Sequence, residues 1–183
     1  DYLVASCNRE AVALIDNWPD WPYFAACIYG PEGCGKTHLA NVFANKVSNL
    51  TNFPYKIPFV KARQIQTQNF RDLFARHNCL VIEELDDAID QEALFHLYNL
   101  YRDEGGNILF TSSLAPARLN FSLPDLRSRM NIVPAVEIQE PDDDLLAALL
   151  VKLFNDRQII PTPELINYIL HNMQRSFSYA RKL

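Results

Sequence analysis

The sequence predicts an α/β fold in which a parallel sheet is flanked by helices and followed by a small α-helical lid. Short apolar runs of strand length alternate with segments of helical periodicity as far as Ile138, the pattern left by strands that crossover helices bury on both faces. The run Tyr23 to Tyr29 leads straight into Gly30-Pro31-Glu32-Gly33-Cys34-Gly35-Lys36-Thr37, which fits G-x-x-x-x-G-K-[ST] without a mismatch and opens a helix. From Gln139 onward no further strand-like run occurs.

Taken in order, Asn8 to Trp18 carries apolar residues at helical spacing with Asn8 as its N-cap. A turn at Pro19 to Pro22 precedes the Tyr23 to Tyr29 strand, and the glycine-rich loop then feeds a helix from Lys36 to about Val47. A strand near Ile57 to Val60 and a helix near Gln64 to His77 follow, before a second buried strand, Cys79 to Glu83. Asp90 to Glu104 is helical, with Leu94, Leu97, Leu100 and Tyr101 on one face and Gly105-Gly106 as its stop. Asn107 to Thr111 is the third buried strand, Asp125 to Met130 a short helix and Val133 to Ile138 a last strand. Pro141, with Asp142, Asp143 and Asp144 in the first turn, starts a helix running to about Asp156, since acidic groups suit a helix N-terminus. Two more helices, Thr162 to Asn172 and Ser176 onward, complete the chain. The change of character divides it into an α/β nucleotide-binding domain over 1–139 and a helical lid over 140–183.

With 183 residues, 49% of them hydrophobic and 21% charged, the chain is long enough for a real core and too apolar for disorder. It contains no 18-residue apolar run, so no membrane span is expected. Seventeen Lys and Arg against 22 Asp and Glu leave a net charge of -5, which argues against direct DNA binding as the main activity. Cys7, Cys27, Cys34 and Cys79 form no C-x-x-C pair and no zinc-like cluster; they read as reduced thiols in a cytoplasmic protein. The chain opens without Met or a secretory signal and stops within a helical segment, so it reads as a piece of a longer protein.

The loop of residues 30–37 carries the chemistry. Its glycines let the backbone curl so that successive N–H groups face a phosphate, and the helix N-terminus adds partial positive charge. Lys36 then bridges the β- and γ-phosphates, and Thr37 ligates Mg²⁺. Pro31, Glu32, Gly33, Cys34, Gly35, Lys36, Thr37 and His38 make up the expected nucleotide contacts here. A phosphate loop needs an acid at the tip of a neighbouring strand, and Glu83-Glu84 supplies two. Glu83 faces the metal through water, and Glu84 orients or activates the attacking water. Ser112 and Ser113 end the next strand, placed to hold that water or touch the γ-phosphate. Arg127 and Arg129 share a short helix, from which an arginine aimed at a neighbouring subunit's γ-phosphate stabilises transition-state charge.

Together these residues resemble the nucleotide-binding core of the AAA+ ATPases, and within them the DnaA/Hda family, closest to its Hda-like members. The resemblance covers essentially the whole chain: Asp1 to Asn8, the Trp18 to Trp21 lead-in, GPEGCGKTHLAN, VIEE, ILFTSS, LPDLRSRM, EIQEPDDD and SYARKL. It implies Walker A roles for Lys36 and Thr37, a Walker B pair in Glu83 and Glu84, sensor 1 at Ser113 and the arginine finger at Arg129. It also implies sensor 2 at Arg181, with Arg175 a weaker alternative, and adenine packing against Leu3 and Val4. The family implies ATP or ADP with Mg²⁺, a partner that is DnaA, another AAA+ subunit or a second copy of the chain, and a role in regulating bacterial replication initiation. It further implies a sliding clamp, reached through a segment preceding Asp1. Glu83 stands where the family carries Asp, which leaves weak or partner-dependent hydrolysis as the expectation. Two other readings stay open: a P-loop phosphotransferase acting on a small molecule, and an initiator or helicase-loader ATPase core.

Overall fold

Residues 4–51, 56–65, 70–173 and 175–182 are described by the computed structural model. Their sheet is built from β1 (Ala25–Tyr29), β2 (Phe59–Lys61), β3 (Cys79–Leu85), β4 (Asn107–Ser112) and β5 (Ala135–Glu137), in the order β2-β3-β4-β1-β5. Every pairing is parallel; in the central rows Cys27 lies opposite both Phe110 and Ala135, and Val81 opposite both Phe59 and Leu109. The helices are α1 (Arg9–Asp16), α2 (Lys36–Thr51), α3 (Phe70–Arg76), α4 (Gln91–Asp103), α5 (Pro124–Met130), α6 (Asp143–Asp156), α7 (Pro163–Asn172) and α8 (Phe177–Lys182).

Strand alternation sorts the core into two layers. Ala25, Cys27, Leu80, Ile82, Ile108 and Phe110 point to one face, where Leu94, Leu97, Tyr98 and Tyr101 of α4 and Leu126 and Met130 of α5 cover them. Their neighbours Ala26, Ile28, Cys79, Val81 and Leu109 point to the other, against Ala11 and Ile15 of α1 and Leu39, Ala40 and Phe43 of α2. A residue step of one exchanges the two layers, so the apolar runs must be continuous, as a sheet covered on both sides requires. A third cluster joins Leu146, Leu149 and Leu150 of α6 to Ile166 of α7 and Ala180 of α8. No helix among the described residues is long and apolar enough to cross a membrane.

Several helix ends follow from local chemistry. Gly105 takes φ 73, Gly106 N–H donates to Tyr101 O at 2.7 Å and Gly105 N–H to Arg102 O at 3.4 Å, the bonding pattern that closes a helix on a left-handed residue. Asn8 occupies the cap of α1, but its side chain makes no capping bond to that helix; Oδ1 instead accepts from Ala5 N–H at 2.8 Å. Of the helix expected over Gln64 to His77, α3 covers Phe70–Arg76, a 3-10 turn occupies Ala62–Gln64, and residues 66–69 lie outside the described ones.

At α6 the cap is Asp142, whose Oδ1 accepts from Leu145 N–H at 2.8 Å. Asp142→Ala is expected to cost about 1 kcal/mol, which for a chain of this size lowers Tm by about 2–4 °C. Calorimetric melting checks it, and an unchanged Tm would show that α6 is held by packing alone.

Candidate nucleotide-binding site

A cavity of about 990 Å³ opens at the C-terminal ends of β1, β3 and β4, the side of an open parallel sheet on which ligands bind. Its floor is the loop after β1, one wall the tips of β3 and β4, and its roof Leu149, Lys152, Leu153 and Asp156 of α6 with Phe177 of α8.

The loop curls because its glycines adopt backbone angles that other residues rarely take: φ is 153 at Gly30, 77 at Gly33 and 102 at Gly35. At Gly30 a Cβ would also sit 2.1 Å from Ile138 O and 3.1 Å from Cys34 Sγ, so strand β1 can enter the loop only through glycine. Lys36 Nζ donates to Gly30 O and Pro31 O, both at 2.7 Å, which folds the ammonium over the loop. It also lies 3.8 Å from Cys34 Sγ. Burial pushes the Cys34 thiol up, against the pull of the Lys36 charge, so it is a protonated packing group at neutral pH. Phe177 N–H donates to Gly33 O at 3.0 Å, tying the start of α8 to the loop.

Glu84 enters the cavity through a bulge. Between Ile82, opposite Phe110, and Leu85, opposite Ser112, β3 advances three residues while β4 advances two. The extra residue leaves Glu84 at φ 58, with its N–H donating to Thr111 Oγ1 at 3.2 Å. Backbone outliers of this kind cluster where a side chain must be aimed. The Glu84 carboxylate accepts from Lys61 Nζ at 2.9 and 3.2 Å, a solvent-exposed pair of small energetic weight. Beside it, Ser112 Oγ donates to Leu85 O at 2.8 Å, fixing the tip of β4.

Of the sequence-predicted residues, Glu32, Gly33, Gly35, Lys36, Thr37, His38, Glu84 and Ser113 line the cavity together. Pro31 and Cys34 belong to the loop but not to that lining. Glu83, a half-buried residue opposite Lys61 on the edge strand, is likewise absent from the lining. Val4 is 59% exposed and away from the cavity. Leu3 lies outside the described residues, Arg181 falls within α8, and Arg175 pairs with Asp143 at 3.0 Å. Arg129, on α5, is not part of this chain's own cavity.

Five charged lining residues, Asp86, Asp87, Arg118, Lys152 and Asp156, were not among the expected site residues. Asp86 receives Arg63 Nε and Nη2 at 2.8 and 2.7 Å, and Asp87 Oδ2 accepts from Asn120 N–H at 3.1 Å. Arg118 and Lys152 add cations to the lining that also holds Lys36. Asp86 and Asp87 follow Glu83-Glu84 closely in the sequence; Arg118 and Lys152 are brought in by long-range folding that no local pattern announces.

Fold and cavity together define an α/β P-loop nucleoside-triphosphatase fold. The family model described as the bacterial DnaA ATPase domain matches residues 2–137, and the chain belongs to that family. Among curated relatives, the chromosomal replication initiator protein DnaA of Borrelia garinii subsp. bavariensis is 26% identical over 92% of this chain and 38% of its own length. That of Lactococcus lactis is 30% identical over 87% of this chain and 38% of its own length. The chain thus spans about two fifths of these relatives. Domain III of Thermotoga maritima DnaA shares the fold with a TM-score of 0.84 at 21% identity, covering 99% of this chain and 82% of that one. AMPPCP-bound DnaA from Aquifex aeolicus does so with a TM-score of 0.78 at 21% identity, covering 95% of this chain and 59% of that one.

Proposed function

We propose that this chain is a nucleotide-binding AAA+ switch that regulates bacterial replication initiation through protein contacts. In this reading it resembles Hda: it binds ADP or ATP and supplies Arg129 to the nucleotide of DnaA or of another AAA+ subunit. The observation that carries the reading is the division of the machinery. The phosphate loop, Glu84 and Ser113 converge on one cavity, whereas Arg129 sits outside it on α5. A cation placed outside the chain's own nucleotide cavity is left available to a neighbour's nucleotide, which is the role assigned to it in this reading.

Within the chain's own cavity the donor set fits a polyphosphate with a divalent cation. Three loop glycines with positive φ curl the backbone, Lys36 gives a charge, and the Thr37 hydroxyl and Glu84 carboxylate are among the lining oxygens that would ligate the cation. Among the described residues no group of three or more His, Cys, Asp or Glu is arranged to hold a metal alone. Mg²⁺ suits such a place because it takes one or two protein oxygens together with phosphate and water. Bound there, it neutralises charge on the phosphate oxygens. Residues 1–139 form the nucleotide-binding domain and 140–183 the lid in this reading, with α6 and α8 closing over the phosphates.

The named relatives favour a second reading, since they are DnaA proteins matched over a minor part of their length: the chain is then the ATPase core of an initiator. Titrating the chain calorimetrically with ATP and then ADP, each with Mg²⁺, separates the two. Preferential ADP binding supports the regulator and tight ATP binding the initiator. Failure of both to bind would overturn the nucleotide switch.

A further inference from the structure

The environment of Arg129 is unusual for a half-exposed arginine. Its guanidinium carbon lies 4.8 Å from the Phe95 ring centroid and 5.9 Å from that of Tyr98. Those two residues are one helical turn apart on α4 and form a continuous shelf under the cation. The shelf is itself anchored: the Tyr98 hydroxyl shares a 2.7 Å hydrogen bond with that of Tyr23, and its ring packs edge-on against Phe24 with centroids 4.8 Å apart. Tyr98 is fully buried, whereas Phe95 is only half-buried. Arg129 Nε is buried with no hydrogen-bond partner, and no ion pair to Arg129 is found among the described residues.

An arginine kept merely for solubility would extend into water and satisfy Nε there. This one has given up part of its hydration to lie on two rings, and no carboxylate among the described residues pairs with it. We propose that Phe95, backed by Tyr98, is a positioning residue that holds the Arg129 guanidinium partly desolvated and ready for the phosphate of a nucleotide bound to the partner subunit. The inference rests on Arg129 acting in trans. Two physical effects follow from the shelf. Stacking restricts the rotamers of a long flexible side chain, so less order must be gained when the subunits meet. A cation already stripped of part of its water also acts more strongly on developing negative charge, because less solvent must reorganise. The first effect bears on assembly, where one side chain among a whole interface weighs little; the second bears on the rate of the assembled complex and is the larger.

The test compares Phe95→Leu, Phe95→Tyr and Arg129→Ala in the full chain, using ATP-loaded DnaA from the same organism as the probe and following phosphate release. Phe95→Leu is expected to lower the stimulated rate at saturation by about tenfold, with the half-saturating concentration of the chain unchanged. Phe95→Tyr, which keeps the ring, restores it. The Arg129 Nε–Hε resonance of the free chain supplies an independent measure: shifted by the rings in the wild type and in Phe95→Tyr, and moved toward the free-arginine position in Phe95→Leu. Full stimulation by Phe95→Leu alongside its loss in Arg129→Ala would overturn the shelf and leave the trans arginine standing. Full stimulation by Arg129→Ala, or none by the wild type, would overturn the trans arginine on which the shelf rests. An Nε–Hε resonance that Phe95→Leu does not move would overturn the shelf whatever the kinetics.

Discussion

Replacing Arg129 with alanine is expected to lower the phosphate release this chain stimulates in a partner AAA+ subunit by roughly 10³-fold, the scale on which a trans arginine acts on phosphoryl transfer. Stability should barely change, because two terms oppose each other. Losing the cation from the Phe95 and Tyr98 faces costs about 0.5–2 kcal/mol. Removing the unpartnered buried Nε returns about 1–3 kcal/mol. The chain's own nucleotide affinity should also be unaffected, since Arg129 does not line its cavity. Arg129→Lys should recover little, because an ammonium offers a point charge where the guanidinium offers a planar fork that also stacks. The measurement is single-turnover phosphate release from partner-bound ATP, and unchanged stimulation would remove Arg129 from any trans role.

The sheet was legible because it is buried on both faces. Continuous apolar runs such as Cys79 to Ile82 and Ile108 to Phe110 have no solvated explanation, and all five predicted strands form. Ends were harder: β1 starts at Ala25 rather than Tyr23, and α2 runs on to Thr51 rather than stopping near Val47. Nothing in those segments breaks the local pattern, so pairing partners and packing decide where each element stops.

The phosphate loop could be read at sight because its residues are contiguous and each has a local geometric reason, above all Gly30 against Ile138 O. The opposite wall could not. A register shift in β3 places Glu84 in the cavity lining while Glu83 lies outside it, and adjacent carboxylates carry no mark of which one a bulge will favour. Arg118 and Lys152 arrive from a short turn after β4 and from a helix on the far side of the cavity. Their contribution depends on tertiary placement alone. The aromatic shelf under Arg129 was hidden for the same reason: Phe95 and Tyr98 fit an ordinary apolar helix face until α5 is laid against it.

Lys36→Ala bears on the chain's own site, and its two consequences differ in size. Nucleotide affinity should fall by about 30-fold to several thousandfold, since truncating one member of a hydrogen-bonded charge pair costs about 2–5 kcal/mol. Folding should suffer far less. In the structure Lys36 Nζ bonds to Gly30 O and Pro31 O; bonds from a charged donor contribute about 1.5–3 kcal/mol when buried and less at this half-buried, solvent-screened position. A Tm lower by a few degrees is therefore expected, with an unchanged far-ultraviolet circular dichroism spectrum at 25 °C. The loop's shape should survive as well, because Gly30, Gly33 and Gly35 set it and the start of α8 still has Gly33 O to bond. Calorimetric titration of the variant with ADP and Mg²⁺, alongside its melting curve, distinguishes lost chemistry from lost structure. Retained affinity would make the glycine-rich loop a tight strand-to-helix turn that happens to carry a lysine, and the cavity in front of it would need another ligand.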